Sequence, residues 1–152
     1  MLFRSLLQSG RMSTQIRTAV IGLGHFGQFH AEKYARLPQS NLVAVVDADA
    51  ARAEAAAKKL RTSAVTDFRA LFGKVDAVSI VVPTQFHRDV ALACLEAGVH
   101  VLVEKPITET LAQADELIRA AAARKLVLQV GHLQRFLLQR LGADTVIHDP
   151  LY

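Results

Sequence analysis

Short apolar runs alternate with longer Ala- and Leu-rich stretches along the chain from Arg17 onward. The apolar runs are rich in β-branched residues and predict strands, whereas the stretches between them have the length and composition of helices. The predicted strands cover residues 18–22, 42–47, 63–66, 77–82, 100–104 and 126–131. The predicted helices lie near residues 26–37, 50–60, 67–72, 86–97 and 110–124. This alternation indicates a series of βαβ units.

Most of the predicted strands are apolar at successive positions instead of alternating with polar residues. Such strands are typical of a parallel sheet that helices cover on both faces. The helix ends agree with this, because Thr84 can cap the third long helix and Gly98 follows its end. Either Thr108 or Thr110 can start the next helix. The predicted fold class is therefore α/β, with a doubly wound parallel sheet over residues 15–132.

The composition argues against nucleic-acid and membrane partners. Of the 152 residues, 51% are hydrophobic and 21% are charged, which suits one sizeable folded core. The net charge is +4, but the Lys and Arg residues are scattered, with no aromatic residues interleaved among them. No apolar run approaches the roughly 18 residues that a membrane span needs. The single Cys94 lies in an apolar helical pattern, so we expect it to pack as a small hydrophobe in a reducing cytoplasm.

Residues 1–14 differ from the rest of the chain, since they combine Arg, Ser and apolar residues and contain no acid. We predict a disordered leader here, with a transit peptide or a short amphipathic anchor as the alternatives.

The segment GLGHFG follows the first predicted strand and opens the first predicted helix. Gly22 would allow a tight turn, Gly24 would let the backbone approach a pyrophosphate, and Gly27 would let the helix pack closely on the strand. The free N–H groups at the start of that helix would hold the phosphates. These features predict a Rossmann-type nucleotide site, although an ordinary glycine turn has the same spacing. The predicted cofactor-binding residues of the turn are Gly22, Leu23, Gly24, His25, Phe26 and Gly27.

Asp47 ends the second predicted strand, about 20 residues beyond the last glycine of the turn. A carboxylate there can accept hydrogen bonds from both ribose hydroxyls of an adenosine, and it repels a 2′-phosphate. We therefore expect NAD as the cofactor in preference to NADP. Arg52 in the next helix keeps NADP open as an alternative. Asp47 can also cap that helix, which is compatible with a binding role.

The segment PTQFH follows the fourth predicted strand. In a doubly wound sheet a dinucleotide crosses the carboxyl ends of the strands, so Pro83 and Thr84 are expected beside its second half. His87 falls in the first turn of the following helix and could bond a ribose or a phosphate. The alternative for His87 is a solvated residue at the start of the helix.

Glu104, Lys105 and Pro106 follow the fifth apolar run, on the same predicted edge of the sheet. Pro106 offers no N–H donor and keeps the preceding residue extended, so the strand ends and Lys105 is presented at its mouth. Beside a nicotinamide ring, the ammonium group of Lys105 could act as an acid or a base. The alternative is an exposed Glu–Lys pair on a surface loop, worth under about 1 kcal/mol.

These motifs, in this order, resemble those of the Gfo/Idh/MocA oxidoreductases, the glucose-fructose oxidoreductase and inositol dehydrogenase family. The most selective are "AGVHVLVEKPIT" at the fifth strand and "VGHLQRF" at the sixth, and the match covers residues 16–136. The resemblance implies a Rossmann domain for a pyridine nucleotide, with Lys105 contacting substrate and nicotinamide. It also implies that Glu104 lines the cofactor pocket, and that Thr84 and His87 lie near the nicotinamide ribose.

The resemblance further implies a second domain, a mainly antiparallel sheet that holds the substrate, and we expect that domain to be missing from this chain. We interpret residues 133–152 as its truncated start or remnant. The family's other catalytic pair is commonly an Asp followed four residues later by a His, and Asp144 and His148 have this separation. A helical pair of residues would have the same separation. Asp144, His148 and Lys105 are the candidate catalytic residues, and no metal ligands are predicted.

The leading hypothesis is the nucleotide-binding half of an NAD-dependent dehydrogenase that acts on a hydroxyl of a sugar, nucleotide sugar or polyol. The alternative is a stand-alone nucleotide-binding module that works through a partner chain. Either would expose an apolar domain face, so self-association or a homo-oligomer is expected. An S-adenosylmethionine methyltransferase shares the glycine turn and the acid, but it has no need of the Glu-Lys-Pro segment.

Overall fold

The computed structural model describes residues 15–132, which contain six strands of one sheet. The strands are β1 (Ile16–Ile21), β2 (Ser40–Val46), β3 (Ser63–Val65), β4 (Ala77–Ile80), β5 (His100–Val103) and β6 (Leu128–Val130). Their order across the sheet is β3-β2-β1-β4-β5-β6, and all neighbouring strands are parallel. The chain fills one half of the sheet outward from β1 and then returns to fill the other half. This is the Rossmann-type doubly wound sheet that the sequence predicts.

Four α-helices and two 3₁₀ turns connect these strands within residues 15–132. The helices are α1 (His25–Arg36), α2 (Ala50–Leu60), α3 (His87–Glu96) and α4 (Leu111–Ala123). The 3₁₀ turns are Phe68–Leu71 and Thr84–Phe86. The helix predicted near residues 67–72 is thus a short 3₁₀ turn, and the helix predicted at residues 86–97 is preceded by another. None of the helices described combines the length and the apolar character of a bilayer-spanning segment.

The helices cover the sheet in pairs, one pair on each face. Val20 and Val45 belong to the apolar cluster that α1 and α2 bury. Ile21 and Val46, the next residues of the same two strands, belong to the cluster that α3 and α4 bury. Because successive side chains of a strand point to opposite faces, both faces need apolar residues. This explains the continuous apolar runs in the sequence.

The helix starts agree with the sequence in one case and differ in two. Thr110 caps α4 in a reciprocal arrangement with Gln113, whereas Thr108 does not begin the helix. Thr84 does not cap α3, because it already lies within the 3₁₀ turn that precedes the helix. The cap of α2 is Asp49, whose side chain accepts a hydrogen bond from the backbone N–H of Arg52. The interpretation of Asp47 as that cap was therefore wrong.

Cys94 is a core residue of α3, as its apolar surroundings in the sequence predict. Its side chain is buried in the cluster between α3, α4 and the sheet. Burial raises the pKa of its thiol to about 12, because the thiolate would lose its hydration.

We expect the Cys94 thiol to be protected from alkylation in the folded chain. Since the thiol is both buried and protonated, labelling under native conditions should be roughly a thousandfold slower than in denaturant, reflecting the rarity of opening. The rate can be followed with a chromogenic thiol reagent across a denaturant series. Fast labelling without denaturant would contradict the burial of this helix face.

Candidate functional site

A cleft of about 950 Å³ crosses the carboxyl edge of the sheet, with walls from the segments that follow all six strands. Its volume is in the range of cofactor sites. Eleven of the sequence-predicted residues line it: Gly22, Leu23, Gly24, His25, Phe26, Asp47, Pro83, Thr84, His87, Glu104 and Lys105. Gly27 is not among the lining residues, because it packs against the backbone of Gly22. Asp144 and His148, like the proposed leader and tail, lie outside the described residues.

The glycine turn between β1 and α1 leaves no room for side chains at two of its positions. Gly22 has φ +91°, and a Cβ there would lie 2.5 Å from the backbone oxygen of Val81. A Cβ on Gly27 would collide with the carbonyl of Gly22. A Cβ on Gly24, by contrast, would meet no atom within 4 Å. Gly24 also begins α1 without a side-chain cap, so the N–H groups of the first turn face an open space suited to a phosphate.

Asp47 joins the glycine turn to the loop after β2. Its carboxylate accepts hydrogen bonds from the backbone N–H of Leu23 at 2.8 Å and of Asp49 at 2.9 Å. Nη1 of Arg52 lies 3.2 and 3.3 Å from its two oxygens. The Asp47 side chain is only 8% exposed, whereas that of Arg52 is 48% exposed. A buried carboxylate and a half-exposed guanidinium therefore share this end of the cleft.

His87 is buried and tied to backbone on both sides of its ring. Its Nδ1 lies 2.8 Å from the carbonyl oxygen of Pro106, and its Nε2 lies 2.8 Å from that of Val82. Carbonyls only accept, so a ring with one N–H can donate to only one of them at a time. The solvated His that was the alternative for this position is not found, because the ring is 1% exposed. A bond from His87 to a cofactor ribose stays a prediction.

Glu104 and Lys105 point in different directions at the end of β5. The Glu104 carboxylate turns into the protein, where Oε1 lies 3.1 Å from Nε2 of His30 and Oε2 accepts from the Lys105 N–H at 3.3 Å. Lys105 is exposed and lines the cleft, and its peptide bond to Pro106 is cis. The two residues are therefore not the exposed surface pair that was the alternative.

A buried series of polar side chains behind Glu104 was not predicted from the sequence. Nδ1 of His30 lies 3.1 Å from Oγ of Ser79 in β4, and the hydroxyl of Tyr34 lies 2.8 Å from the same oxygen. Burial lowers the pKa of His30, although Glu104 acts to raise it, and burial raises the pKa of Tyr34. The signal in the sequence was the spacing of four between His30 and Tyr34, which places both on one helix face toward a serine in an apolar strand.

The volume and the lining of the cleft suit a dinucleotide. The glycine turn offers N–H groups at its middle, and Asp47 offers acceptors at the end of β2. The other half of the cleft, beyond the point where the strand order reverses, carries Thr84, Glu104 and Lys105. Within residues 15–132 no cluster of His, Cys, Asp and Glu has a metal-binding arrangement.

We expect Gly22→Ala to destabilise the chain by about 3 kcal/mol or more, since it combines a positive φ with a backbone clash. Gly24→Ala is the matched control and should change the free energy of unfolding by less than about 0.5 kcal/mol, because its Cβ meets open space. Denaturant titration followed by circular dichroism measures both values. Equal losses in the two variants would contradict the described turn.

Comparison with known proteins places these features in one family. The family model described as "Oxidoreductase family, NAD-binding Rossmann fold" matches residues 16–132. UDP-N-acetylglucosamine 3-dehydrogenase of Acidithiobacillus ferrooxidans is 50% identical over 120 residues, which are 79% of this chain and 38% of that enzyme. Its solved structure superposes with a TM-score of 0.78 at 46% identity, over 86% of this chain and 44% of that one.

Two further relatives extend the comparison. The scyllo-inositol 2-dehydrogenase (NAD(+)) of Bacillus subtilis is 34% identical over 129 residues, covering 82% of this chain and 38% of that enzyme. GenD2 from gentamicin A biosynthesis, solved in complex with NAD, has a TM-score of 0.76 at 31% identity, over 80% of this chain and 36% of that one. The chain thus spans about two fifths of the length of the relatives it matches. It belongs to the Gfo/Idh/MocA oxidoreductase family, and residues 16–132 are its NAD-binding Rossmann domain.

Proposed function

We propose that this chain is the cofactor-binding half of an NAD-dependent dehydrogenase that oxidises a hydroxyl group of a sugar, nucleotide sugar or polyol. The observation that carries the proposal is the position of Lys105, at the end of β5 and on the wall of the cleft that also holds the glycine turn and Asp47. The names of the relatives supply the substrate class, since they include a UDP-N-acetylglucosamine 3-dehydrogenase and a scyllo-inositol dehydrogenase.

Each wall of the cleft has a separate task in this proposal. The N–H groups at the start of α1 bind the pyrophosphate, and Asp47 accepts hydrogen bonds from the adenosine ribose hydroxyls. Bound NAD supplies a hydride acceptor. Lys105 orients the substrate hydroxyl, or removes its proton while the carbon-bound hydrogen leaves as hydride. Thr84 and His87 lie on the wall nearest to the nicotinamide ribose.

The cleft mouth offers an apolar surface to whatever holds the substrate. The rings of Phe26, Phe29 and Phe86 are 62%, 51% and 48% exposed, and Phe26 and Phe86 line the cleft. Apolar rings beside a binding cleft are typical of a surface that another segment or subunit covers. We propose that a substrate-holding domain, or a second copy of the chain, covers them in the working enzyme.

A cytoplasmic location, expected from the single reduced cysteine, is part of the same proposal.

The cofactor assignment is tested by titrating the chain with NADH and NADPH and following nicotinamide fluorescence. Wild type should prefer NADH. Asp47→Asn should weaken NADH binding about tenfold and shift the preference toward NADPH, because the variant loses a charged acceptor and leaves Arg52 without its buried partner.

Asp49→Asn is the matched control, since Asn caps a helix as well as Asp and the residue lies only two positions further along. It should leave the ratio of the two affinities within about twofold of wild type, because Asp49 is not among the residues that line the cleft and its contact with Arg52, at 3.4 Å, is half-exposed. An unchanged ratio in Asp47→Asn, or absence of NADH binding in wild type, would contradict the proposal.

Turnover separates the dehydrogenase proposal from the alternative of a non-catalytic module. We expect the 152-residue chain to bind NAD and to reduce it only slowly, because it spans about two fifths of the length of its relatives and efficient hydride transfer needs a site closed to water. Absorbance of NADH can be followed with NAD and UDP-N-acetylglucosamine or inositol. Lys105→Gln should lower any measured rate at least about a hundredfold while NADH affinity stays within about threefold. A rate indifferent to Lys105 would contradict its role.

A further inference from the structure

A chain of hydrogen bonds leads from the interior of the domain to the cleft wall at Glu104. It begins at the Tyr34 hydroxyl, passes through Ser79 to His30, and ends at the Glu104 carboxylate. The side chains of His30 and Glu104 are only 14% and 15% exposed. The proposed function assigns a task to the neighbouring Lys105, but none to His30 or Ser79.

The Glu104 carboxylate determines which atoms donate and which accept along this series of hydrogen bonds. A carboxylate only accepts, so Nε2 of His30 carries the hydrogen that points to Glu104. In a neutral ring Nδ1 then accepts from the Ser79 hydroxyl, and the oxygen of Ser79 accepts from Tyr34. Burial raises the pKa of Tyr34 and lowers that of His30, which is consistent with a protonated phenol and a neutral ring.

The Glu104 carboxylate has little freedom to leave this arrangement. Its Oε2 accepts from the backbone N–H of Lys105 at 3.3 Å. A Cβ on Gly131, at the end of β6, would lie 2.5 Å from Oε1, so the carboxylate occupies the space where any other residue would carry a side chain. His30 and the backbone N–H of Lys105 therefore hold the carboxylate from two sides, and Gly131 leaves free the space that the carboxylate occupies.

We propose that His30 is a positioning residue for Glu104, and that the His30–Glu104 pair takes up a proton more readily when the neutral dihydronicotinamide ring of NADH, rather than the cationic nicotinamide ring of NAD, occupies the cleft. The inference rests on the proposed function, which places the nicotinamide at the β4 and β5 end. It assigns to the pair a response to the oxidation state of the cofactor, in addition to holding the Lys105 backbone.

The physical basis is the charge that the His30–Glu104 pair presents to the nicotinamide ring. With His30 neutral the pair carries one negative charge, and with His30 protonated it carries none. A cationic nicotinamide favours the negative state, whereas a neutral dihydronicotinamide does not. Lowering the pH through the titration of His30 should therefore weaken NAD binding relative to NADH binding.

Within residues 15–132, the pKa of His30 is set by burial and by Glu104. Tyr34 lies on its own helix and stays protonated, while Ser79 of β4 carries no charge. Glu104 at the end of β5 is the charged group in contact with the ring. Lys105 and His132 line the same cleft, and their effect on cofactor binding should be the same in wild type and in the His30 variants.

The test compares wild type with His30→Gln. A Gln amide can donate to Glu104 and accept from Ser79, so it preserves the position of Glu104 without titrating. In wild type, the affinity for NAD relative to NADH should fall roughly three- to tenfold as the pH is lowered from about 8 to below the pKa of His30, which burial holds below the ordinary histidine value of 6.5. In His30→Gln this change should shrink to under about twofold, with affinities near the wild-type values at pH 8.

Calorimetry in two buffers of different ionisation enthalpy gives the proton count directly. Wild type should take up more protons with NADH than with NAD near the titration of His30, and His30→Gln should not differ between the two. His30→Leu should weaken the binding of both cofactors about tenfold at every pH, because the Glu104 carboxylate loses the donor on its Oε1, and Gln at this position should restore the affinity. Thermal unfolding of each variant verifies folding.

Two outcomes would contradict the inference. One is that wild type and His30→Gln show the same pH profile of affinity and the same proton count, with NAD and with NADH. The other is His30→Leu binding as tightly as His30→Gln, which would leave His30 no positioning role. Absence of NAD and NADH binding in wild type would instead contradict the proposed function itself, and the inference with it.

Discussion

The closeness of two backbone segments at the first turn is the constraint on which the rest of the domain depends. Gly22 abuts the carbonyl of Val81, and Gly27 abuts Gly22, so β1, the end of β4 and α1 meet without intervening side chains. Because the backbones lie this close, His30, about one turn beyond Gly27 in α1, can reach Ser79 in β4 and Glu104 after β5. The glycines thus determine more than the space for a phosphate.

The fold was predictable because several independent patterns agree. Apolar runs without alternation, helix-length spacers and the glycine turn each indicate a doubly wound sheet, and the structure has all six predicted strands. The errors lie at helix starts, where Thr84 and Asp47 had the right chemistry for caps. Backbone geometry decided against them, since a 3₁₀ turn contains Thr84 and Asp49 stands closer to α2. Local backbone geometry of this kind leaves no periodic signal in a sequence.

Residues that line the cleft were easier to predict than residues that act behind it. Asp47, Glu104 and Lys105 follow directly from their place at strand ends, because all parallel strands end at one edge. His30 lies in mid-helix, and its contacts join residues 49 and 74 positions apart in the sequence. The burial of His87 against two carbonyls was equally hard to predict, since Val82 and Pro106 become neighbours only in the folded sheet.

The bridge that His87 makes between Val82 and Pro106 has a mechanical consequence. One rigid ring connects the backbone after β4 with the backbone after β5, and both are walls of the same half of the cleft. A ring with one N–H donates a hydrogen bond to only one of these carbonyls and packs against the other, so separating the two backbones would break that bond or expose the buried ring. The His87 ring therefore acts as a spacer, which sets the distance between the two backbones where the chemistry of the cleft is expected.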